Sequence, residues 1–193
     1  MRICVFGAAS PTIEQEYIDK VETLGKKMVA RGHSLVFGGG ANGLMGAVAR
    51  GVKSENGHVL GVIPQFFGEE DVEVVFKNCD ELIEPETMRQ RKQIMEDNAD
   101  AFVIVPGGIG TLEEFFEILT LKQLCRHTKK IAVYNIKGYY NELNLLMVQV
   151  IEKGFATDAC WNLYKITDNL DELFDYLETE EADTYTVKDL KEG

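Results

Sequence analysis

The chain is short of cations and nearly empty of proline and of paired cysteines, and each shortage narrows what it can be. It carries 20 Lys and Arg against 32 Asp and Glu, a net charge of −12. Affinity for nucleic-acid backbones and anionic membranes depends on clustered Lys and Arg, so this balance argues against both as partners. It leaves room for one small anion in a local basic pocket. There are only 4 prolines, and no Pro-, Ser- or Gln-rich stretch marks a linker, so the 193 residues read as a single domain, 1–193. The 4 cysteines, Cys4, Cys79, Cys125 and Cys160, are far apart and form no CxxC pair. That spacing suits neither a metal centre nor a disulfide framework, and it reads as buried free thiols in a reducing cytoplasm. No apolar run approaches the length of about 18 residues that a membrane span needs. The opening residues 1–6 are too short for a signal peptide and are soon followed by Glu14 and Glu16, so they read as a first strand.

What is present alternates. Short runs rich in Val, Ile and Phe at 3–6, 34–37, 59–63, 101–105 and 131–134 read as buried strands. Helical patterns lie between and after them at 13–31, 44–55, 88–98, 112–127 and 139–153. Residues 82–83 and 164–166 add short strands, 170–177 a last helix, and an acidic tail from 178 reads as frayed or lightly docked. This order predicts an α/β fold, a parallel sheet flanked by helices on both faces, with ligands beyond the carboxyl ends of the strands.

Two glycine clusters fall at such ends. Gly38-Gly39-Gly40-Ala41-Asn42-Gly43 contains G-x-G-x-x-G between a strand and a helix. It follows the second strand rather than the first. Where a ribose-binding acid is expected there are Gln65 and Phe66, so a dinucleotide reading is disfavoured. A tight turn with close helix packing, or a mononucleotide contact through Gly39 and Gly40, both remain open. The second cluster, Pro106-Gly107-Gly108-Ile109-Gly110-Thr111-Leu112-Glu113-Glu114, follows an apolar strand and opens an apolar helix. Its glycines let a ligand approach the backbone, and a new helix offers free N–H groups and a positive dipole end to a phosphate. Thr111-x-x-Glu114 also matches a capping box, in which Glu114 would only close the helix start. Against that, Glu114 lies off the polar stripe Glu113–Glu117–Thr120 and in line with Ile118, Leu121 and Cys125. A carboxylate there projects toward an apolar or interface surface.

A basic island, Met88-Arg89-Gln90-Arg91-Lys92, stands in this acidic chain. On a helical wheel Arg91 falls between Met88 and Met95, on the inward side. An inward arginine needs an anion, either Glu114 or a ligand phosphate.

These motifs together resemble the LOG ("Lonely Guy") family. The resemblance rests on P-G-G-x-G-T-x-x-E at 106–114, the Arg91-Lys92 pair after Met88 and G-G-G-x-x-G-L-M-G at 38–46, together with Val62-Ile63-Pro64 and Gly138-Tyr139-Tyr140. It covers roughly residues 1–155. It implies a modified Rossmann sheet, usually a homodimer. It also implies hydrolysis of the N-glycosidic bond of adenine-type (cytokinin) nucleoside 5′-monophosphates to free base and ribose 5-phosphate. Position by position it makes Arg91 and Glu114 catalytic, and Lys92, Gly108, Ile109, Gly110, Thr111 and Thr120 substrate contacts. Gly107, Leu112 and Glu113, which belong to the same motif, together with Ser10, Gly39, Gly40 and Met88, complete the expected substrate-binding set. Two departures are visible. The first strand is followed by Gly7-Ala8-Ala9-Ser10, where the family has C-G-S-S, so only Ser10 keeps a hydroxyl. The acid that follows V-I-P in the family has four counterparts, Glu69, Glu70, Asp71 and Glu73, at altered spacing.

No cofactor and no metal are expected. A pyridoxal-phosphate decarboxylase needs a Schiff-base lysine, and none stands in a convincing setting. A nucleotide sensor or carrier built on the same pocket is the non-catalytic alternative. It has little use for a carboxylate near a phosphate.

Overall fold

The computed structural model describes residues 1–69, 74–180 and 185–191. Seven strands form one sheet: β1 (Arg2–Phe6), β2 (Ser34–Phe37), β3 (Val59–Val62), β4 (Glu81–Ile83), β5 (Ala101–Ile104), β6 (Lys130–Tyr134) and β7 (Lys165–Thr167). Their order is β4-β3-β2-β1-β5-β6-β7, and every pairing is parallel. The central strands are buried along both faces, so their sequences are unbroken apolar runs rather than alternating ones.

The helices are α1 (Gln15–Ala30), α2 (Gly43–Ser54), α3 (Gln65–Glu69), α4 (Met88–Asp97), α5 (Ile109–Gln123), α6 (Asn141–Glu152), α7 (Leu170–Glu178) and α8 (Val187–Lys191). One core packs α1, α2 and α7 on one side of the sheet, through Val21, Leu24, Leu44, Val48, Leu173 and Phe174. The other packs α4, α5 and α6 on the opposite side, through Met95, Phe115, Ile118 and Met147. This is the expected α/β architecture. Within the acidic tail, α8 inserts Leu190 into the second core.

The strand order reverses direction between β1 and β5, which leaves a crevice at their carboxyl ends. The loops 7–10, 38–42 and 105–108 all open there. Cys4 and Cys160 are buried free thiols, Cys79 is half-buried, and Cys125 is exposed where the chain leaves α5 in a left-handed turn. Among the described residues, no helix is long and apolar enough to cross a membrane, and no cluster of His, Cys, Asp and Glu could hold a metal ion.

Candidate active site

A cavity of about 350 Å³ occupies the crevice between the β1 and β5 ends. Arg91 reaches it from α4. A Thr87–Gln90 capping box fixes the start of α4 and therefore the direction of the side chains that follow. The guanidinium is buried and held from three sides. Its Nε donates to the Val62 carbonyl at 3.1 Å, Nη1 to Glu114 Oε1 at 3.2 Å, and Nη2 lies 3.5 Å from the Gly38 carbonyl. Glycine at 38 makes this possible, because a Cβ there would collide with Nη2.

Glu114 comes from α5. Only 11% and 12% of the Arg91 and Glu114 side chains are exposed, and both line the cavity. Burial pushes the Glu114 carboxyl up to about 7, with Arg91 pulling it down and Glu113 pushing it up. A carboxyl in that range can accept a proton and return it near neutrality.

Helix α5 begins at Ile109 with Gly108 as N-cap and no side-chain cap, and Leu112 N–H makes its first internal bond to the Gly108 carbonyl. Thr111 is thus inside the helix, and the T-x-x-E capping box does not form. Glu114 is left free for the cavity. The N–H groups of 109–111 precede the first helical bond, as at any helix start. Gly108 and Gly110 border the cavity, and a Cβ built on either would meet no protein atom within 4 Å. Neither crowding nor a positive φ requires glycine at these two positions. What they spare is room at the mouth of the cavity for something that is not the chain.

A family model described as "Possible lysine decarboxylase" matches residues 45–177. A protein of Oryza sativa subsp. japonica named as a probable cytokinin riboside 5′-monophosphate phosphoribohydrolase is 39% identical over 92% of this chain and 83% of its own length. An Arabidopsis thaliana protein named as a cytokinin riboside 5′-monophosphate phosphoribohydrolase is 36% identical over 92% and 82%. The chain belongs to the LOG family.

Solved structures share its fold. A molybdenum cofactor carrier protein from Chlamydomonas reinhardtii matches at a TM-score of 0.68, with 19% identity over 90% of this chain and 93% of that one. The molybdenum cofactor binding protein of Rippkaea orientalis matches at 0.63, with 19% identity over 90% and 93%.

In this LOG-family chain the structure divides the expected site residues into two groups. Arg91, Glu114, Gly108, Gly110, Thr111 and Ser10 line the cavity. Gly107 is buried directly behind them, where a Cβ would strike the Thr111 side chain. The others lie elsewhere. Lys92 pairs with Glu113 at 2.5 Å and with Glu117 at 2.7 Å, outside the cavity lining. Ile109 points outward at 89% exposure, Met88 and Thr120 are exposed, and Leu112 packs against the core. Gly39 and Gly40 are engaged with segment 74–76: the Phe76 N–H bonds the Gly39 carbonyl at 2.8 Å, and Gly40 bridges to Val75.

Gly39 and Gly40 of the first glycine cluster are thus held in a turn, while Gly38 lines the cavity. The Leu44 and Met45 N–H groups at the start of α2 both point to the Ala8 carbonyl, at 2.8 and 3.3 Å, and are not offered to a ligand. Of the four candidate acids after V-I-P, Glu70, Asp71 and Glu73 lie outside the described residues, and the Glu69 side chain does too. Several lining residues are not among the site residues expected from the sequence: Gly7, Ala8, Ala9, Gly38, Met45, Phe67 and Met95. For loop 7–9 the available signal was its position at the end of the first strand.

Proposed function

We propose that the chain hydrolyses the N-glycosidic bond of adenine-type nucleoside 5′-monophosphates, releasing free base and ribose 5-phosphate. Relatives at 36–40% identity bear the name of that activity. The observation that carries the reading is the buried Arg91–Glu114 pair, which faces the same cavity as the Gly108–Thr111 helix start. The free N–H groups and the dipole of α5 seat the 5′-phosphate, and its binding energy holds the sugar for attack. Breaking the C1′–N bond builds positive charge on the ribose, which the Glu114 carboxylate stabilises. Glu114 also takes a proton from the attacking water. The hydroxyl adds to C1′, the bonding electrons leave with the base, and the base nitrogen takes up a proton. Arg91 orients Glu114 and favours its ionised form. Met45, Met95 and Phe67 supply apolar wall for the base.

A lysine-dependent decarboxylase finds no support in this geometry, since no lysine lines the cavity among the described residues. A second copy of the chain completes the proposed assembly. Ile109 and Phe116 on α5, Leu145 and Leu146 on α6, and Phe155 just beyond α6 are all exposed, and α5 and α6 share one side of the sheet.

The test is product analysis from AMP and from its N6-prenylated analogue, with metal chelated. Free base together with ribose 5-phosphate is the expected result, and the ratio between substrates separates hormone activation from salvage. AMP bound but left intact would favour a sensor or carrier instead.

A further inference from the structure

We propose that Tyr139 and Tyr140 are positioning residues: they hold loop 105–108 so that the Gly108 N–H, and not the loop's carbonyls, faces the cavity. The inference rests on the phosphate seat described above. Three successive carbonyls leave the end of β5, and each is taken by a separate donor. The Val105 carbonyl accepts from the Tyr140 hydroxyl at 2.8 Å, Pro106 from the Ala8 N–H at 3.1 Å, and Gly107 from the Tyr139 hydroxyl at 2.7 Å. A trans peptide points its N–H opposite its C=O. Tying the Gly107 carbonyl to Tyr139 therefore turns the Gly108 N–H away from that tyrosine.

The surroundings give this direction a meaning. Tyr139 borders a second cavity of about 270 Å³, with Tyr17, Ile13 and Pro106. Gly108 borders both cavities, and Glu114 and Arg91 border only the first. Loop 106–108 is thus a partition, with the tyrosine on one side and the Arg91–Glu114 pair on the other. The peptide between Gly107 and Gly108 has glycine at both ends, so rotation of its plane meets little steric resistance. A rotated plane would present a carbonyl oxygen to the anion. The sequence makes this loop easy to misorient, and the hydroxyls oppose that.

The tyrosines are themselves aimed. Lys137 and Gly138 both adopt positive φ, 55° and 72°, immediately before them. A lysine in that conformation needs support. It has ion pairs to Glu16 at 2.7 Å and Glu14 at 3.4 Å, and its ammonium sits 5.5 Å from the Tyr17 ring centroid. Tyr17 meets Tyr139 edge-on at 6.4 Å, and the Asn135 side chain accepts the Tyr140 N–H at 2.7 Å.

Tyr139→Phe keeps the ring and removes the donor. Calorimetry on the full chain would give dissociation constants for AMP and for adenosine, with unfolding temperatures alongside. The expected result is AMP affinity lower by about five- to tenfold, adenosine affinity unchanged within about twofold and the melting temperature preserved. Unchanged AMP affinity, or equal losses for the two ligands, would overturn the assignment. Amide hydrogen exchange gives a second readout: faster exchange at 107–111 with β5 unchanged supports the lock, and unaltered protection there refutes it. Turnover of AMP by the wild type is measured in parallel. AMP bound without turnover would refute the hydrolase reading and leave the tyrosine test standing, and no AMP binding at all would overturn both.

Discussion

The Arg91 guanidinium occupies the space that a side chain on residue 38 would need: a Cβ at Gly38 would collide with its Nη2. The two residues are 53 apart in sequence and belong to different βα units. Gly38→Ala should therefore displace Arg91 rather than the packed sheet, since loop 38–42 lies beyond the carboxyl end of β2 and Gly38 lines the cavity. The expected outcome is loss of kcat/KM by about a hundredfold with a folded protein by circular dichroism, the size reflecting lost positioning. Near-wild-type kcat/KM would show that Arg91 need not stand where it does.

Gly110 offers the opposite pattern. It lies in the first turn of α5 with open space where a Cβ would be, so alanine costs the folded chain nothing sterically. Helix propensity then favours Gly110→Ala by up to about 1 kcal/mol. The same methyl group intrudes on the phosphate seat. We expect an equal or higher melting temperature together with weaker AMP binding. Parallel loss of both would mean that the glycine serves the fold.

Glu114 titrates near 7 because it is buried, against an ordinary value of 4.5. As the base it must be ionised, so kcat/KM for AMP should rise with pH and level off above about 7, higher than the phosphate's own second ionisation near 6. An acid limb centred near 4.5 would contradict this. Stability runs the other way. A carboxyl whose folded pKa is raised contributes stability that is full below pH 4.5 and is lost as pH climbs through 7. Glu96, also pushed to about 7 by burial and by Glu117, acts in the same window. Glu114→Gln should thus raise the melting temperature of the unliganded protein at pH 8 and change it little at pH 4.5.

The exposed apolar residues of α5 and α6 predict self-association. Sedimentation should give twice the chain's 21.7 kDa, and Leu145→Glu with Leu146→Glu should shift it toward the monomer. A wild-type monomer at micromolar concentration would exclude the dimer.

The fold was largely legible because its strands are buried on both faces and read as apolar runs, such as Ala101–Ile104 and Ser34–Phe37. Arg91 and Glu114 were legible for a related reason, as charges on apolar helical faces. The start of α5 was not. Gly108-Ile109-Gly110 looks like a loop, yet a first helical turn tolerates glycine, and the structure begins the helix three residues before Leu112. Nor could the sequence separate two similar glycine clusters. The difference is non-local: the Ala8 carbonyl takes the α2 amides, and among the described residues no distant backbone carbonyl does the same at the start of α5. The Lys92 ion pairs were illegible for the same reason, because its partners Glu113 and Glu117 come from another helix.

Glu114 is the group proposed to act on the C1′–N bond. The decisive measurement is single-turnover release of base from AMP by wild type and by Glu114→Gln, with AMP affinity determined for both. Retained AMP binding is expected, with a rate lower by about a thousandfold or more in the variant, the scale for removal of a positioned base. A variant that binds AMP and releases base at the wild-type rate would contradict that role for Glu114.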